Sequence, residues 1–305
     1  MPDLLKFATI GFFQGAVYGL LAVGIVLVYK GTRVFNFAQA EFGTVAALVL
    51  YALHVRAHLN YLLAVILALA FVVGVGLLAE RLVIRPLLNA PRITLIVATV
   101  GIALFFIAVE LPIVGTTTLV LDPAWKDPIG ISGHPTFVNI FGVGIERQQF
   151  LVVMVLGILA VGLAYFFNRT DRGLAVLATS EDSTASQVVG ISVVGMSRFI
   201  WGSAAFLGGV AGILYGPTTI VAPGFMTGIQ GVEVLIPAFT AAVLGGMTSL
   251  AGAFVGGELV GIVQNVGIYY LGQKGGLSGA PELSVFALLL LVLLVRPQGL
   301  LGKEA

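Results

Sequence analysis

A small set of polar side chains lies inside long apolar segments, where an uncompensated polar group is costly. The densest group is Arg33, Asn36, Gln39 and Glu41, around the start of the second apolar segment. Groups of this kind either form hydrogen bonds between helices or line a polar path for a solute. The density of this group leaves two roles open, a structural one and one in gating or in orienting the segment.

The other polar side chains are more isolated, and interhelical hydrogen bonding is the simpler role for each of them. Gln14 lies in the first apolar segment, whereas Glu258, Gln264 and Asn265 lie in the eighth. A buried carboxylate such as Glu258 is also what a transporter driven by an ion gradient requires at its ion site.

The sequence lacks the motifs of several common enzyme classes. It contains no Gly-x-x-x-x-Gly-Lys-Ser/Thr, so it has no P-loop for nucleotide phosphates, and no His-Glu-x-x-His zinc motif. With no cysteine it has no thiolate metal site, and a net charge of +1 provides no basic surface for nucleic acid. We therefore expect no enzymatic activity, metal, cofactor or nucleic-acid partner for this chain.

The elements that must position these residues are membrane-spanning helices. The chain has 305 residues, of which 59% are hydrophobic and 10% charged, and its mean hydropathy is +1.09. Apolar windows that are continuous rather than alternating favour helices over a β-barrel. We expect an all-α polytopic transmembrane bundle in one domain over residues 1–305, with eight or nine spans near residues 7–29, 37–55, 61–79, 93–114, 149–167, 199–221, 232–249, 252–271 and 283–296.

Lysine and arginine in the connecting loops predict the orientation. With the N-terminus outside and the C-terminus inside, ten basic residues face the cytoplasm and five face outward. Residues 115–148, rich in proline and glycine, become an irregular external loop. Residues 168–198 become a cytoplasmic loop, in which we expect one amphipathic helix bounded by Gly173 and Gly190.

Glycines at intervals of four residues predict close helix packing. The clearest sets are Gly11, Gly15 and Gly19 in the first segment and Gly208, Gly212 and Gly216 in the sixth. This spacing leaves a flat strip along one face of a helix, on which another backbone can approach closely in lipid.

Several motifs together resemble the permease subunits of branched-chain amino acid ABC transporters, the binding-protein-dependent importers. Residues 33–40 read Arg-Val-Phe-Asn-Phe-Ala-Gln-Ala, where the family commonly has Arg-x-x-Asn-Phe-Ala-His-Gly. Further similar stretches follow in the family's order at residues 80–87, 94–101, 178–191, 204–216, 245–253 and 296–302. The resemblance covers almost the whole chain.

The resemblance implies a permease in the plasma (inner) membrane of a bacterium or archaeon that works with a second permease subunit, two cytoplasmic ATPase subunits and an external solute-binding protein. ATP and magnesium are then bound by the partner ATPase. The family's coupling loop corresponds to Glu181, Asp182, Ala185, Gly190 and Ile191, which we expect to contact the ATPase. By hypothesis, the solute path is lined by Gln14, Asn36, Gln39 and Glu41.

Three alternatives stay open at this point. A permease of the same architecture for urea or short amides would share these signatures and differ in its binding protein. An ion-coupled secondary transporter would use Glu258, and its uptake would follow an ion gradient rather than ATP. A passive channel is the third alternative, but the sequence shows no paired half-helix repeat in its favour.

Overall fold

A computed structural model of the chain describes residues 2–88, 90–115, 118–121, 136–140, 142–228, 234–296 and 298–301. These residues are predominantly helical. The helices are α1 (Pro2–Thr32), α2 (Gln39–Tyr51), α3 (Tyr61–Ala79), α4 (Arg92–Val114), α5 (Arg147–Arg169), α6 (Asp171–Glu181), α7 (Ser183–Val188), α8 (Val193–Tyr215), α9 (Leu235–Gly245), α10 (Leu250–Gly267) and α11 (Ala280–Val295). Short π-helical extensions follow α2 (Ala52–Arg56), α3 (Glu80–Ile84) and α10 (Ile268–Lys274).

Each of the nine predicted apolar windows coincides with one helix, and α6 and α7 lie between the fifth and sixth windows. Among the described residues, six helical segments are long and apolar enough to cross a membrane: Asp3–Thr32, Tyr61–Leu87, Arg92–Val114, Arg147–Phe167, Val193–Thr218 and Leu250–Lys274. The apolar helices α9 and α11 are shorter, and α2 has 13 residues before its π-helical extension. The helical class of the fold is therefore as expected.

The chain forms two compact units that interleave along the sequence. The first unit comprises residues 1–23, 123–160 and 236–305, and the second comprises residues 24–122 and 161–235. In the first unit, α10 packs against α11 and against the first half of α1. In the second unit, α2 is the central helix, because α3, α4 and α8 all pack against it.

The segment expected to be irregular, residues 115–148, contains regular structure in its described part. Strands β1 (Thr136–Ile140) and β2 (Val143–Glu146) pair antiparallel, with Ile140 opposite Val143 and an irregular register near Thr136. Gly142, with φ +81°, lies in the tight turn between them. The expectation of an irregular segment is wrong for these residues, because four- and five-residue strands leave little alternation to detect.

The expectation of a single amphipathic helix in residues 168–198 is also corrected. Two short helices, α6 and α7, are separated at Asp182, whose backbone is extended (φ −143°, ψ 103°). The Thr170 hydroxyl accepts a hydrogen bond from the Gly173 amide and caps the start of α6. The Asp182 carboxylate accepts one from the Ala185 amide at 2.9 Å and caps α7. The extended backbone that lets Asp182 cap α7 also ends α6.

Candidate functional site

The connection between α1 and α2 is non-helical and partly buried, and the fully buried Asn36 organises it. Its side-chain oxygen accepts from the Ala38 amide at 3.1 Å, and its side-chain nitrogen donates to Gln39 Oε1 at 3.2 Å. The Phe37 amide donates to the Thr99 hydroxyl of α4 at 3.2 Å. Non-helical backbone at membrane depth persists only where its polar groups are satisfied in this way or face water.

Gln39 joins this connection to α8. Its side-chain nitrogen donates to the backbone oxygen of Ala204 at 2.8 Å, and the residue is fully buried. The approach depends on Gly208, since a Cβ atom there would lie 2.8 Å from the Gln39 carbonyl oxygen. The amide groups of Asn36 and Gln39 are thus both engaged inside the second unit.

Two buried carboxylates hold the turn at residues 221–228, which follows α8. Glu41 Oε1 accepts from the Thr227 hydroxyl at 2.6 Å, and Glu110 Oε2 accepts from the Gly224 amide at 3.1 Å. Among the described residues, the second oxygen of each carboxylate has no hydrogen-bond partner. Glu41 was a predicted site residue, whereas the contact of Glu110 with a turn more than a hundred residues away has no signal in the sequence.

The glycines of α8 form its contact with α2 and with the following turn. A Cβ atom at Gly212 would collide with the backbone of Gly43. Gly216 directly follows α8, and a Cβ atom there would lie 2.9 Å from the side chain of Leu121 and 3.3 Å from that of Val221 in the following turn. The polar group at the start of α2 is therefore positioned by a helix crossing with almost no side chain between the two backbones.

The first unit has its own glycine crossing. Gly11 lies against the backbone of Gly261, and a Cβ atom at Gly15 would lie 2.6 Å from the Gly257 carbonyl oxygen. A Cβ atom at Gly19 would have the side chain of Leu156 in α5 as its nearest neighbour, at 3.3 Å. The strip on α1 thus serves the packing of α10 and α5.

Gln14 belongs to a hydrogen-bonded network inside the first unit. Its side-chain nitrogen donates to the Tyr18 hydroxyl at 2.6 Å, and that hydroxyl donates to Gln264 Oε1 at 2.6 Å. Asn265 donates to Gln14 Oε1 at 2.8 Å. Of the four residues assigned to the solute path, Gln14 therefore has its partners in one unit, whereas Asn36, Gln39 and Glu41 have theirs in the other.

Glu258 of α10 is a buried carboxylate close to the same crossing. It is 8% exposed, and neither of its oxygens has a hydrogen-bond partner among the described residues. Within the same part of the chain, no three histidine, aspartate or glutamate side chains come together as a metal ion would require.

The five residues assigned to ATPase coupling lie on or beside α6 and α7. Glu181 ends α6, Asp182 caps α7, and Ala185 is exposed. Gly190 has φ +86°, its amide bonds to Gln187 O at 3.0 Å, and the Ile191 amide bonds to Ser186 O at 2.9 Å. This double hydrogen bond is a Schellman C-cap, which favours glycine at that position.

Two residues at the end of α7 form a feature that the sequence pattern did not indicate. Val188 is 84% exposed and Val189 is 73% exposed. They precede the glycine that ends the helix and form an apolar tip outside the long apolar helices. Paired valines in a stretch with helical periodicity are typical of core residues, so hydropathy alone does not distinguish them.

The family model described as "Branched-chain amino acid transport system / permease component" matches residues 7–296. The high-affinity branched-chain amino acid transport system permease protein BraD of Pseudomonas aeruginosa is 30% identical, over 99% of this chain and 98% of its own length. The corresponding protein LivH of Escherichia coli is 29% identical, over 96% of this chain and 94% of its own length.

The fold is also similar to a solved structure, PsaBC from Streptococcus pneumoniae in complex with Fab. The match covers 96% of this chain and 92% of that chain, with a TM-score of 0.50 and 17% sequence identity. At this identity the likeness concerns the fold alone. The family match, which spans nearly the full length, shows that this chain belongs to the permease components of branched-chain amino acid transport systems.

Proposed function

We propose that this chain is the membrane-spanning permease subunit of an ATP-driven importer in the inner membrane of a bacterium or archaeon. Its solutes are branched-chain or other hydrophobic amino acids, which an external binding protein delivers. A second permease subunit completes the passage, and two cytoplasmic ATPase subunits bind and hydrolyse ATP. The proposal rests on family membership, on the apolar helices and on the sequence's lack of a P-loop.

The observation that carries the coupling part of this proposal is the apolar tip formed by Val188 and Val189. Both side chains are largely exposed at the end of α7, between α5 and α8, where little of their apolar surface is buried by this chain itself. Exposed apolar side chains on a compact helical element are typical of a surface that a partner covers. Closure of the ATPase dimer is then transmitted through α6 and α7 as a rigid-body movement of the attached helices.

The proposed topology has nine membrane-inserted helices, α1 to α5 and α8 to α11, of which α2, α9 and α11 are short. An odd number of crossings places the two termini on opposite sides of the membrane, and the distribution of lysine and arginine favours an outside N-terminus and an inside C-terminus. The tip at Val188 and Val189 is then cytoplasmic, and strands β1 and β2 are external.

Gln14, Asn36, Gln39 and Glu41 remain the proposed lining of the solute path. In this conformation their polar groups bond within the protein, so the proposal requires that the helices separate during transport. In an alternating-access mechanism, the residues that line the solute path must switch between internal hydrogen bonds and exposure to that path. Single alanine variants that leave uptake unchanged would remove the corresponding residue from the path.

The coupling proposal is tested with the double variant Val188→Ser and Val189→Ser in the full transporter, reconstituted with its ATPase and binding protein. Losing the burial of one valine costs about 1.5 kcal/mol, so ATPase association should weaken by roughly tenfold or more. Solute-stimulated ATP hydrolysis should fall accordingly, while membrane insertion stays normal.

Val120→Ser is the matched control, because Val120 is also 73% exposed but lies in a different connection, between α4 and β1. It should leave ATPase association and stimulated hydrolysis unchanged. Normal coupling in the Val188/Val189 variant would refute the role of the tip, and an equal loss in both variants would show a non-specific effect of removing exposed valine.

A further inference from the structure

An apolar groove runs between α3 and α4 in the second unit. Both helices pack against α2, but within the described part of the chain they make few direct contacts with each other. The wider end of the groove is a cavity of about 350 Å³, and a second cavity of about 280 Å³ continues it along the helices. The two cavities share Val75, Phe105 and Phe106 in their lining, so they are neighbours between the helices, and we call them together the α3–α4 groove.

The lining of this groove is almost entirely apolar, and its rim is exposed. Phe71 of α3 and Phe105, Val109 and Ile113 of α4 are all exposed along it, and Leu48 of α2 lies at its floor. In a membrane-spanning helix pair, exposed apolar side chains of this kind face hydrocarbon. The volume of the wider cavity falls within the range of about 300–1,000 Å³ that is usual for ligand sites.

Two ionisable side chains line the wider cavity, and they are placed differently. Glu110 is 6% exposed and accepts a hydrogen bond from the Gly224 amide, so it points into the protein. Arg56, at the end of the π-helical extension of α2, is exposed, and its guanidinium lies 5.6 Å from the ring centre of Tyr51. Among the described residues, no carboxylate forms a salt bridge with Arg56.

This arrangement fits an anionic lipid. An apolar groove along the helices accommodates an acyl chain, and an arginine at its open end, supported by a tyrosine ring, can bind a phosphate through two hydrogen bonds. Tyrosine and arginine are also the side chains that concentrate at the level of the lipid headgroups.

We infer that the α3–α4 groove is a binding site for an anionic phospholipid, with one acyl chain between Phe71 and Phe105 and the phosphate at Arg56. The bound chain covers the side of Glu110 that faces the groove and keeps water from the carboxylate. Because Glu110 holds the turn after α8, the lipid also stabilises the conformation of that turn.

The test uses the complete transporter in phosphatidylcholine vesicles that contain a small fraction of phosphatidylglycerol with a diazirine in its acyl chain. Irradiation followed by peptide mass spectrometry should place the label on α3 and α4, near Phe71 and Phe105. Arg56→Gln should lower this labelling by about tenfold, as expected for the loss of a charge-assisted hydrogen bond. Arg92→Gln, which changes another exposed arginine at the opposite end of α4, should leave the labelling unchanged.

Two further measurements distinguish a groove filled by an anionic lipid from one filled by any lipid or by a protein surface. Val109→Trp, which fills the groove, should lower labelling from both phosphatidylglycerol and a diazirine phosphatidylcholine, whereas Arg56→Gln should affect only the former. Equal labelling by both lipids, without an effect of Arg56→Gln, would overturn the inference. Photocrosslinking of a benzophenone attached at Val109→Cys to the second permease subunit would also overturn it, because a protein surface would then occupy the groove.

Discussion

The crossing of α2 and α8 at Gly43 and Gly212 allows a quantitative test by the substitution Gly212→Ala. The added methyl group would overlap the backbone of Gly43 and lie 2.5 Å from its Cα atom, whereas ordinary contacts of a Cβ atom begin at 3.4 Å. The two helices must therefore separate locally by about 1 Å, and a gap of this size forfeits a quarter to a half of each dispersion contact along the crossing.

The expected cost can be estimated from two contributions. Overpacking of a dense helix contact costs about 1–3 kcal/mol. The hydrogen bond from Gln39 to Ala204 O lies in the same crossing, and interhelical hydrogen bonds in membranes contribute about 0.6 kcal/mol on average and about 1.7 at most. Gly212→Ala should therefore lower the free energy of unfolding by about 2–4 kcal/mol.

The measurement is unfolding of the purified protein in mixed micelles by titration with sodium dodecyl sulfate, followed by circular dichroism. Gly101→Ala is the matched control, because Gly101 lies in the middle of α4 and a Cβ atom there would have no neighbour within 4 Å. Alanine in a helix is more favourable than glycine by up to about 1 kcal/mol, so this control should be neutral or stabilised. Equal stabilities of the two variants would refute the proposed closeness of α2 and α8.

Three further predictions concern polar groups. Thr227→Val removes the donor to Glu41 and should cost about 1–3 kcal/mol of stability, and combining it with Glu41→Leu should recover most of this loss in the same titration. Asp182→Ala removes the cap of α7 and should cost about 0.5–2 kcal/mol. We expect it to raise hydrogen exchange at the Ala185 amide, and unchanged exchange would contradict the cap. Glu258→Gln should leave ATP-driven uptake intact. If uptake instead depended on an ion gradient and was lost in this variant, an ion-coupled transporter would be favoured.

The positions of the helices were accessible from the sequence, because each depends on the composition of one continuous stretch. The window at residues 61–79 coincides with α3, and the window at residues 93–114 differs from α4 by one residue. Hydropathy did not separate the long helices from the short ones: α9, with 11 residues, occupies a window of 18. Apolar residues in the turn that follows α9, such as Met247, widen the window without lengthening the helix.

The partners of the site residues were not accessible, because they depend on tertiary contacts. The spacing of Gly208 and Gly212 predicts a flat strip, but it does not say that the strip meets Gly43 of α2. Similarly, the amide of Gln39 predicts a hydrogen bond, but its acceptor, Ala204 O, is 165 residues away along the chain. Local periodicity contains no information on contacts between residues far apart in the chain. The glycine contact and the Gln39 hydrogen bond are both contacts of this kind, and both fix the geometry of the proposed path.

The central claim is that this chain supplies a passage and receives energy for transport from a separate ATPase. The most direct measurement is leucine accumulation in sealed vesicles that contain either the purified chain alone or the complete transporter with ATP and the binding protein. The chain alone should show no accumulation above the external leucine concentration, with or without an imposed ion gradient, whereas the complete transporter should concentrate leucine. Accumulation by the chain alone would contradict the account.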